Sequence, residues 1–146
     1  MTPTTDTLSA AAGYARELNV ADPADVLARR GVELQTFPDP LDLPGKLAWG
    51  IWHPSIRRIE LFGCNAERSD RDVLLCLAHE IGHMDRAGRF PPGDEQLADE
   101  FAERLVDRLS PARVGACARA LRRMARPAPS ASCVKRVSPN PICISP

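Results

Sequence analysis

Residues 69–87 read SDRDVLLCLAHEIGHMDRA, and the pattern of this segment predicts a helix. Ser69, followed by Asp70 and Asp72, is typical of a helix start, because a serine oxygen and early carboxylates stabilise the free N–H groups of a first turn. Apolar residues then recur at helical spacing, and Gly88 is typical of a helix end. The sequence therefore predicts one long helix over residues 69–87.

This predicted helix has an apolar face and a face that can bind metal. His79 and His83 lie four residues apart, so their imidazoles can point at one position, as in half of a tetrahedral zinc site. Glu80, beside them, is placed to take a proton from zinc-bound water. The apolar face holds Val73, Leu77, Ile81 and Met84, and the other face holds Asp72, Cys76, His79, His83 and Ala87.

A second predicted helix, residues 94–109, offers a third metal ligand. Glu95 projects from the edge of its apolar face, where a carboxylate is costly unless it is paired, and a metal would pair it. Asp94 is the rival ligand, although its place at the helix start favours capping. Asp99, one turn after Glu95, suits a hydrogen bond to a ligand histidine. The apolar face consists of Leu97, Ala98, Phe101, Ala102, Leu105 and Leu109.

The segments around these helices predict an α+β fold, with a small, mainly antiparallel sheet packed on a helical body. The strand over residues 58–62 is a candidate for binding an extended peptide by strand addition. We expect a flexible N-terminus over residues 1–7 and a single domain over residues 8–126. Its other predicted elements are helices at 8–18, 23–31 and 111–125, a strand at 32–36, and a hairpin of strands 47–52 and 58–62 with its turn at 53–56.

The last segment, residues 127–146, contains five prolines and no helical or strand periodicity. Such a segment buries too little apolar surface to offset its ordering entropy, so we expect a disordered tail whose truncation leaves the zinc site intact. The alternative is a tail that folds back over the cleft, where Cys133 or Cys143 would supply a thiolate to the open zinc position.

Composition limits the class of protein and of partner. The chain has 146 residues, 44% hydrophobic and 26% charged, which is typical of one globular domain. Basic and acidic residues number 19 each, so no net charge attracts nucleic acid or anionic membrane. No stretch is typical of a signal peptide or a membrane span, which predicts a cytoplasmic protein. The five cysteines lack CxxC spacing, which favours free thiols.

Four further groups have two possible roles each. His53 and Tyr14 are candidates for stabilising an oxyanion, and either can equally be structural. Cys76 is a small buried filler or a fourth, inhibitory metal ligand. A cationic cluster towards the C-terminal end is a solvated face or a phosphate-binding patch, and it consists of Arg119, Arg122, Arg123, Arg126, Lys135 and Arg136.

The motif LAHEIGH at 77–83, followed by EQLADEFA at 95–102, resembles the ImmA/IrrE family of small zinc metallopeptidases. The likeness covers roughly residues 8–110, and residues 104–111 stand where the family commonly has an LLMP signature. The resemblance implies a zincin-like metal helix with a third-ligand helix. It makes His79, His83 and Glu95 the zinc ligands, Glu80 the catalytic base, and Asp99 the family's Asn/Asp position.

By the same resemblance, the expected function is a zinc-dependent endopeptidase that cleaves a regulatory protein such as a helix-turn-helix repressor. A second hypothesis is a non-proteolytic module that keeps zinc for stability and regulates a transcription factor by docking to it. A third is a metal-free helical domain in which the motif is a coincidence. Metal analysis separates the third hypothesis from the other two.

Overall fold

The computed structural model describes residues 5–85, 95–127 and 143–145, in which the chain forms helices on one side of a small sheet. The predicted α+β class is confirmed. The helices are α1 (Thr5–Leu18), α2 (Pro23–Ala28), α3 (Asp70–Asp85), α4 (Glu95–Asp107) and α5 (Pro111–Met124). The strands are β1 (Glu33–Thr36), β2 (Leu41–Leu43), β3 (Lys46–Ala48), β4 (Gly50–His53), β5 (Arg58–Leu61) and β6 (Cys143–Ser145).

The main sheet has the strand order β1-β5-β4-β6 and is mixed. Strand β1 is parallel to β5, whereas β4 is antiparallel to both β5 and β6. The prediction of a mainly antiparallel sheet therefore holds for two of the three pairings. The parallel pair arises because residues 37–57, which include β2, β3 and β4, separate β1 from β5 in the chain.

The predicted hairpin differs from the observed one. The stretch 47–52 does not form one strand, because the chain changes partner at Trp49: Leu47 pairs with Asp42 in a separate β2–β3 hairpin, and β4 begins at Gly50. The turn into β5 covers residues 54–57 and ends on Arg57, which has a positive φ of 50°. An apolar run predicts a strand but does not mark where it changes partner, so the predicted bounds were wrong.

Strand β5 lies between β1 and β4, so its backbone is paired on both sides. The predicted role of residues 58–62 in strand addition is therefore wrong, since that role needs a free edge. Within the described residues, the neighbour of β4 on its other side is the C-terminal strand β6, with Ile144 opposite Ile51.

The prediction of a disordered tail over residues 127–146 is wrong for Cys143–Ser145, because these residues form β6. An edge strand offers unpaired N–H and C=O groups, so a short segment can be ordered by backbone pairing that its composition does not reveal. Residues 128–142 and 146 lie outside the described part of the chain. The flexible N-terminus predicted for residues 1–7 is likewise wrong for residues 5–7, since α1 begins at Thr5, and residues 1–4 lie outside the described part of the chain.

Side-chain caps begin the helices that hold the predicted site in place. The hydroxyl of Ser69 accepts a hydrogen bond from the backbone N–H of Asp72 at the start of α3, as predicted. Ser110 accepts one from Arg113 in the same way at the start of α5. The predicted continuation of α3 to residue 87 and the rival ligand Asp94 lie outside the described residues.

Helix α3 lies at the centre of the core, against the sheet on one side and α4 on the other. Gly82 permits the close approach of α4, because a Cβ added there would stand 3.0 Å from Cδ1 of the buried Phe101. The packing of these two helices thereby fixes the distance between the predicted metal ligands. No helix in the described part of the chain has the length and apolarity needed to cross a membrane.

Candidate metal centre

Side chains from α3 and α4 converge on one point between the helices. Nε2 of His79 lies 2.6 Å from Oε2 of Glu95, and Nε2 of His83 lies 3.5 Å from Oε1 of the same carboxylate. The two Nε2 atoms are 3.1 Å apart. The structure thus brings together the three residues that the sequence predicted as ligands, in a group that could hold a metal ion.

This donor set fits zinc in both chemistry and spacing. Two imidazole nitrogens and a carboxylate form one of the common catalytic ligand sets for this ion. Ligand atoms bound at about 2.1 Å in a tetrahedron lie about 3.4 Å apart. The three observed separations, 2.6, 3.1 and 3.5 Å, are all within about 1 Å of that value. Three protein ligands would leave the fourth position for water or substrate.

Asp99 fixes the orientation of His79. Its Oδ1 lies 2.7 Å from Nδ1 of His79, although 69% of the Asp99 side chain is exposed. A carboxylate at this distance holds the proton on Nδ1 and leaves Nε2 as a metal donor. The predicted position of Asp99 behind a ligand histidine is therefore observed.

The surroundings of His83 favour its neutral form. Burial lowers the pKa of His83, the neighbouring His79 lowers it further, and Glu95 partly opposes both effects. A metal ligand must be neutral imidazole, because the protonated ring has no free lone pair. The site therefore favours the form of His83 that can bind a cation.

Glu80 lies beneath strand β4, with none of its surface exposed. A Cβ added at Gly50 would stand 2.9 Å from Cγ of Glu80 and 3.0 Å from its Oε2. Strand β4 can pass this close only because residue 50 has no side chain. Gly50 is therefore a positioning residue for Glu80, and the sequence contains no local signal for this role because the approach is between distant segments.

An open cavity of about 310 Å³ lies along α3 next to the predicted ligands. His79 and Glu95 form one part of its wall, and Arg68 and Cys76 form another. Cys76 is not in the group of potential metal ligands, and its Sγ lies 3.3 Å from Nη2 of Arg68. Burial raises the pKa of this thiol, so it is protonated near neutral pH. These observations favour the filler role for Cys76 over a fourth ligand.

The two candidates for stabilising an oxyanion lie elsewhere. His53 is buried, 2.8 Å from Oε1 of Glu60, on the face of β4 opposite to Gly50. The hydroxyl of Tyr14 bonds to Asp85 at 3.3 Å, and burial raises its pKa to about 12. Both side chains have structural partners, and neither lines the cavity next to the metal ligands.

Arg122, predicted as part of a solvated arginine face, instead holds the loop before α3. Its Nη1 lies 2.5 Å from Oδ1 of Asp70, and its Nη2 donates to the backbone oxygen of Arg68 at 2.8 Å. Its Nε donates to the backbone oxygen of Asn65 at 3.2 Å. Neither this role of Arg122 nor the position of Arg68 could be predicted from the sequence, because the hydrogen-bond partners of Arg122 and the ring that Arg68 contacts lie in distant segments and leave no periodic pattern.

Comparisons of the chain with protein-family models, with curated proteins and with solved structures give no match.

Proposed function

We propose that this protein is a zinc-dependent peptide hydrolase whose metal is held by His79, His83 and Glu95. The observation that carries the proposal is the convergence of two Nε2 atoms and one carboxylate, with separations of 2.6 to 3.5 Å. The bond from Asp99 to Nδ1 of His79 supports it, because this carboxylate–histidine pair is a regular companion of zinc ligands.

The chain's own residues would divide the reaction between them. Zinc, when bound, polarises a scissile carbonyl and lowers the pKa of a bound water. Glu80, adjacent in sequence to the first ligand, would take the proton of that water and deliver it to the leaving amine. Gly50 keeps the Glu80 side chain in its place under β4. Asp99 keeps Nε2 of His79 directed at the metal position.

The substrate that we propose is a regulatory protein such as a helix-turn-helix repressor, and its support is the resemblance of residues 77–83 and 95–102 to ImmA/IrrE peptidases. The docking module remains the competing function, since it would use the same metal for stability alone. The two differ in whether the carboxylate of Glu80 is needed.

Glu80→Gln tests the proposal, because it removes the base and keeps the shape of the side chain. We expect the variant to retain one zinc per chain, by elemental analysis, and to lose at least about a hundredfold of its rate on a mixture of unfolded proteins, by mass spectrometry of the fragments. His79→Ala should lose both zinc and cleavage.

An unchanged rate in Glu80→Gln would contradict the mechanism. Loss of zinc from the same variant would instead assign Glu80 a structural role. Regulation of a transcription factor that persists in Glu80→Gln would favour the docking module.

A further inference from the structure

Arg68, which immediately precedes the cap of α3, contacts an aromatic ring, a thiol and a backbone oxygen. Its Cζ lies 4.4 Å from the centre of the Trp49 ring, and its Nη2 is 3.3 Å from Sγ of Cys76 and 3.5 Å from the backbone oxygen of Asp72. Its Nη1 is buried and has no hydrogen-bond partner within residues 5–85, 95–127 and 143–145. Among the described residues it forms no ion pair, unlike Arg71, which pairs with Asp107 at 2.8 Å.

This arrangement is costly in the free protein. A guanidinium that loses water needs compensating hydrogen bonds or an opposite charge, and an indole, a thiol and one distant carbonyl supply little of either. The cation–π interaction with the Trp49 ring offsets only part of this cost. An anion bound at this site would therefore accept strong, charge-assisted hydrogen bonds from the guanidinium of Arg68.

The carboxylates that share the cavity with Arg68 do not neutralise it directly. Glu95 belongs to the ligand group, and Asp99 bonds to His79. Asp72, the third, forms no ion pair with Arg68 either. Once a divalent ion is bound, the formal charges of the lining side chains and the ion cancel. Among the lining residues that the structure describes, Arg68 is then the one cationic side chain.

The distance from Arg68 to the predicted ligands suits one bound peptide. Cys76, which contacts the guanidinium, precedes His79 by three residues on α3, a rise of about 4.5 Å. A peptide with one group at the metal position could therefore reach Arg68 along the same cavity. The position of Arg68 is fixed before the peptide binds, by the Trp49 ring and by the hydrogen bond from Arg122 to its backbone oxygen. Such preorganisation reduces the entropic cost of binding.

We infer that Arg68 binds a carboxylate of a peptide that lies at the metal centre. This inference rests on the proposed function and narrows it to substrates with a carboxylate near the scissile bond, either an acidic side chain or the end of the chain. The flat, forked guanidinium matches a carboxylate with two parallel hydrogen bonds, and an amide of the same shape cannot make both.

Binding to the zinc-loaded Glu80→Gln variant of the full chain tests the inference without turnover. The probes are the blocked peptide acetyl-Ala-Ala-Glu-Ala-Ala-amide, its Gln counterpart, and acetyl-pentaalanine with a free carboxyl end. Calorimetry should give at least about tenfold tighter binding of the Glu peptide or of the free-carboxyl peptide than of the Gln peptide, which identifies the source of the carboxylate.

Adding Arg68→Gln should remove this preference, and adding Arg68→Lys should keep part of it, because the lysine keeps the charge and loses the fork. Arg71→Gln is the matched control, since Arg71 pairs on the outer surface with Asp107, and the preference should persist in it. Zinc content and the circular dichroism spectrum verify that each variant is folded.

Equal binding of all three probes, or binding of none, would overturn the inference. So would a carboxylate preference that persists in Arg68→Gln, because the carboxylate would then bind the metal itself. A preference that depends on Arg68, in a protein that cleaves no peptide, would contradict the proposed hydrolysis and leave the carboxylate site standing.

Discussion

Asp99 illustrates how a single exposed carboxylate controls the orientation of a buried histidine in the candidate metal centre. Its side chain gains little from burial, yet its bond to Nδ1 of His79 determines which ring nitrogen faces Glu95. Without this partner the ring can rotate or change tautomer, and zinc would have to select the correct state at a cost in free energy.

Asp99→Ala should therefore weaken zinc binding by roughly ten- to a hundredfold, with little loss of stability in the metal-free protein. Competition with a chromophoric chelator measures the affinity. Glu103→Ala, one turn further along α4 and exposed, is the control and should bind zinc normally. Equal affinities in the two variants would mean that Asp99 does not orient the ligand.

At the scale of elements, the approach of β4 to α3 determines where Glu80 lies. Helix α3 directs Glu80 towards the sheet, and Gly50 at the start of β4 leaves just enough room for its carboxylate. The packing of a strand against a helix thereby restricts a side chain that would have several rotamers on an isolated helix.

Gly50→Ala should displace this carboxylate, because the added Cβ would stand 2.9 Å from Cγ of Glu80. We expect peptide hydrolysis to fall by roughly ten- to a hundredfold while zinc content stays unchanged. The measurements are the rate on a cleaved peptide and elemental analysis of the same sample.

Gly13→Ala in α1 is a matched control, since the nearest heavy atom to its added Cβ is 3.9 Å away. It should keep the full rate and stabilise the helix by up to about 1 kcal/mol. If Gly50→Ala is as active as Gly13→Ala, the close approach of β4 is not what positions the base.

At the scale of the whole molecule, strand β6 occupies the edge of β4 next to the residue that lies against Glu80. Strand β6 places the backbone of Ser145 opposite Gly50, the residue that lies against Glu80, and it runs close to α3. Extended peptides bind to sheets by adding to a free edge, so β6 takes the place on β4 that an added peptide strand would use.

Deleting residues 143–146 from the full chain should raise the rate of peptide hydrolysis and leave zinc content unchanged. An internal segment that covers a site nine-tenths of the time lowers its apparent affinity for peptides by about tenfold, which sets the size of the expected effect. Ile144→Pro should act in the same direction, because proline is poorly tolerated within a paired strand.

Cys143→Ser separates this effect from the thiolate alternative. If the deletion raises the rate of hydrolysis and Cys143→Ser does not, the backbone pairing of β6 is what hinders peptide binding. An increase in both variants favours a thiolate at the metal. Unchanged rates in both the deletion and Ile144→Pro would mean that β6 does not hinder peptide binding.

Features that depend on near neighbours in the chain could be predicted from the residues alone. Helical periodicity of 3.6 residues places His79 and His83 on one face of α3, and serine oxygens begin α3 and α5 at Ser69 and Ser110. The alternation of apolar residues likewise predicted β1. Even Glu95 was found in this way, since its position at the edge of an apolar face is a local property.

Contacts between segments that are far apart in the chain are apparent only in the folded protein. Four features of the structure join residues that are far apart in the chain. They are the change of strand partner at Trp49, the contact of Gly50 with Glu80, the contacts of Arg68 with Trp49 and Cys76, and the pairing of β6 with β4. Pairing and packing energies arise from the partner as much as from the segment, and no local pattern of residues encodes the partner.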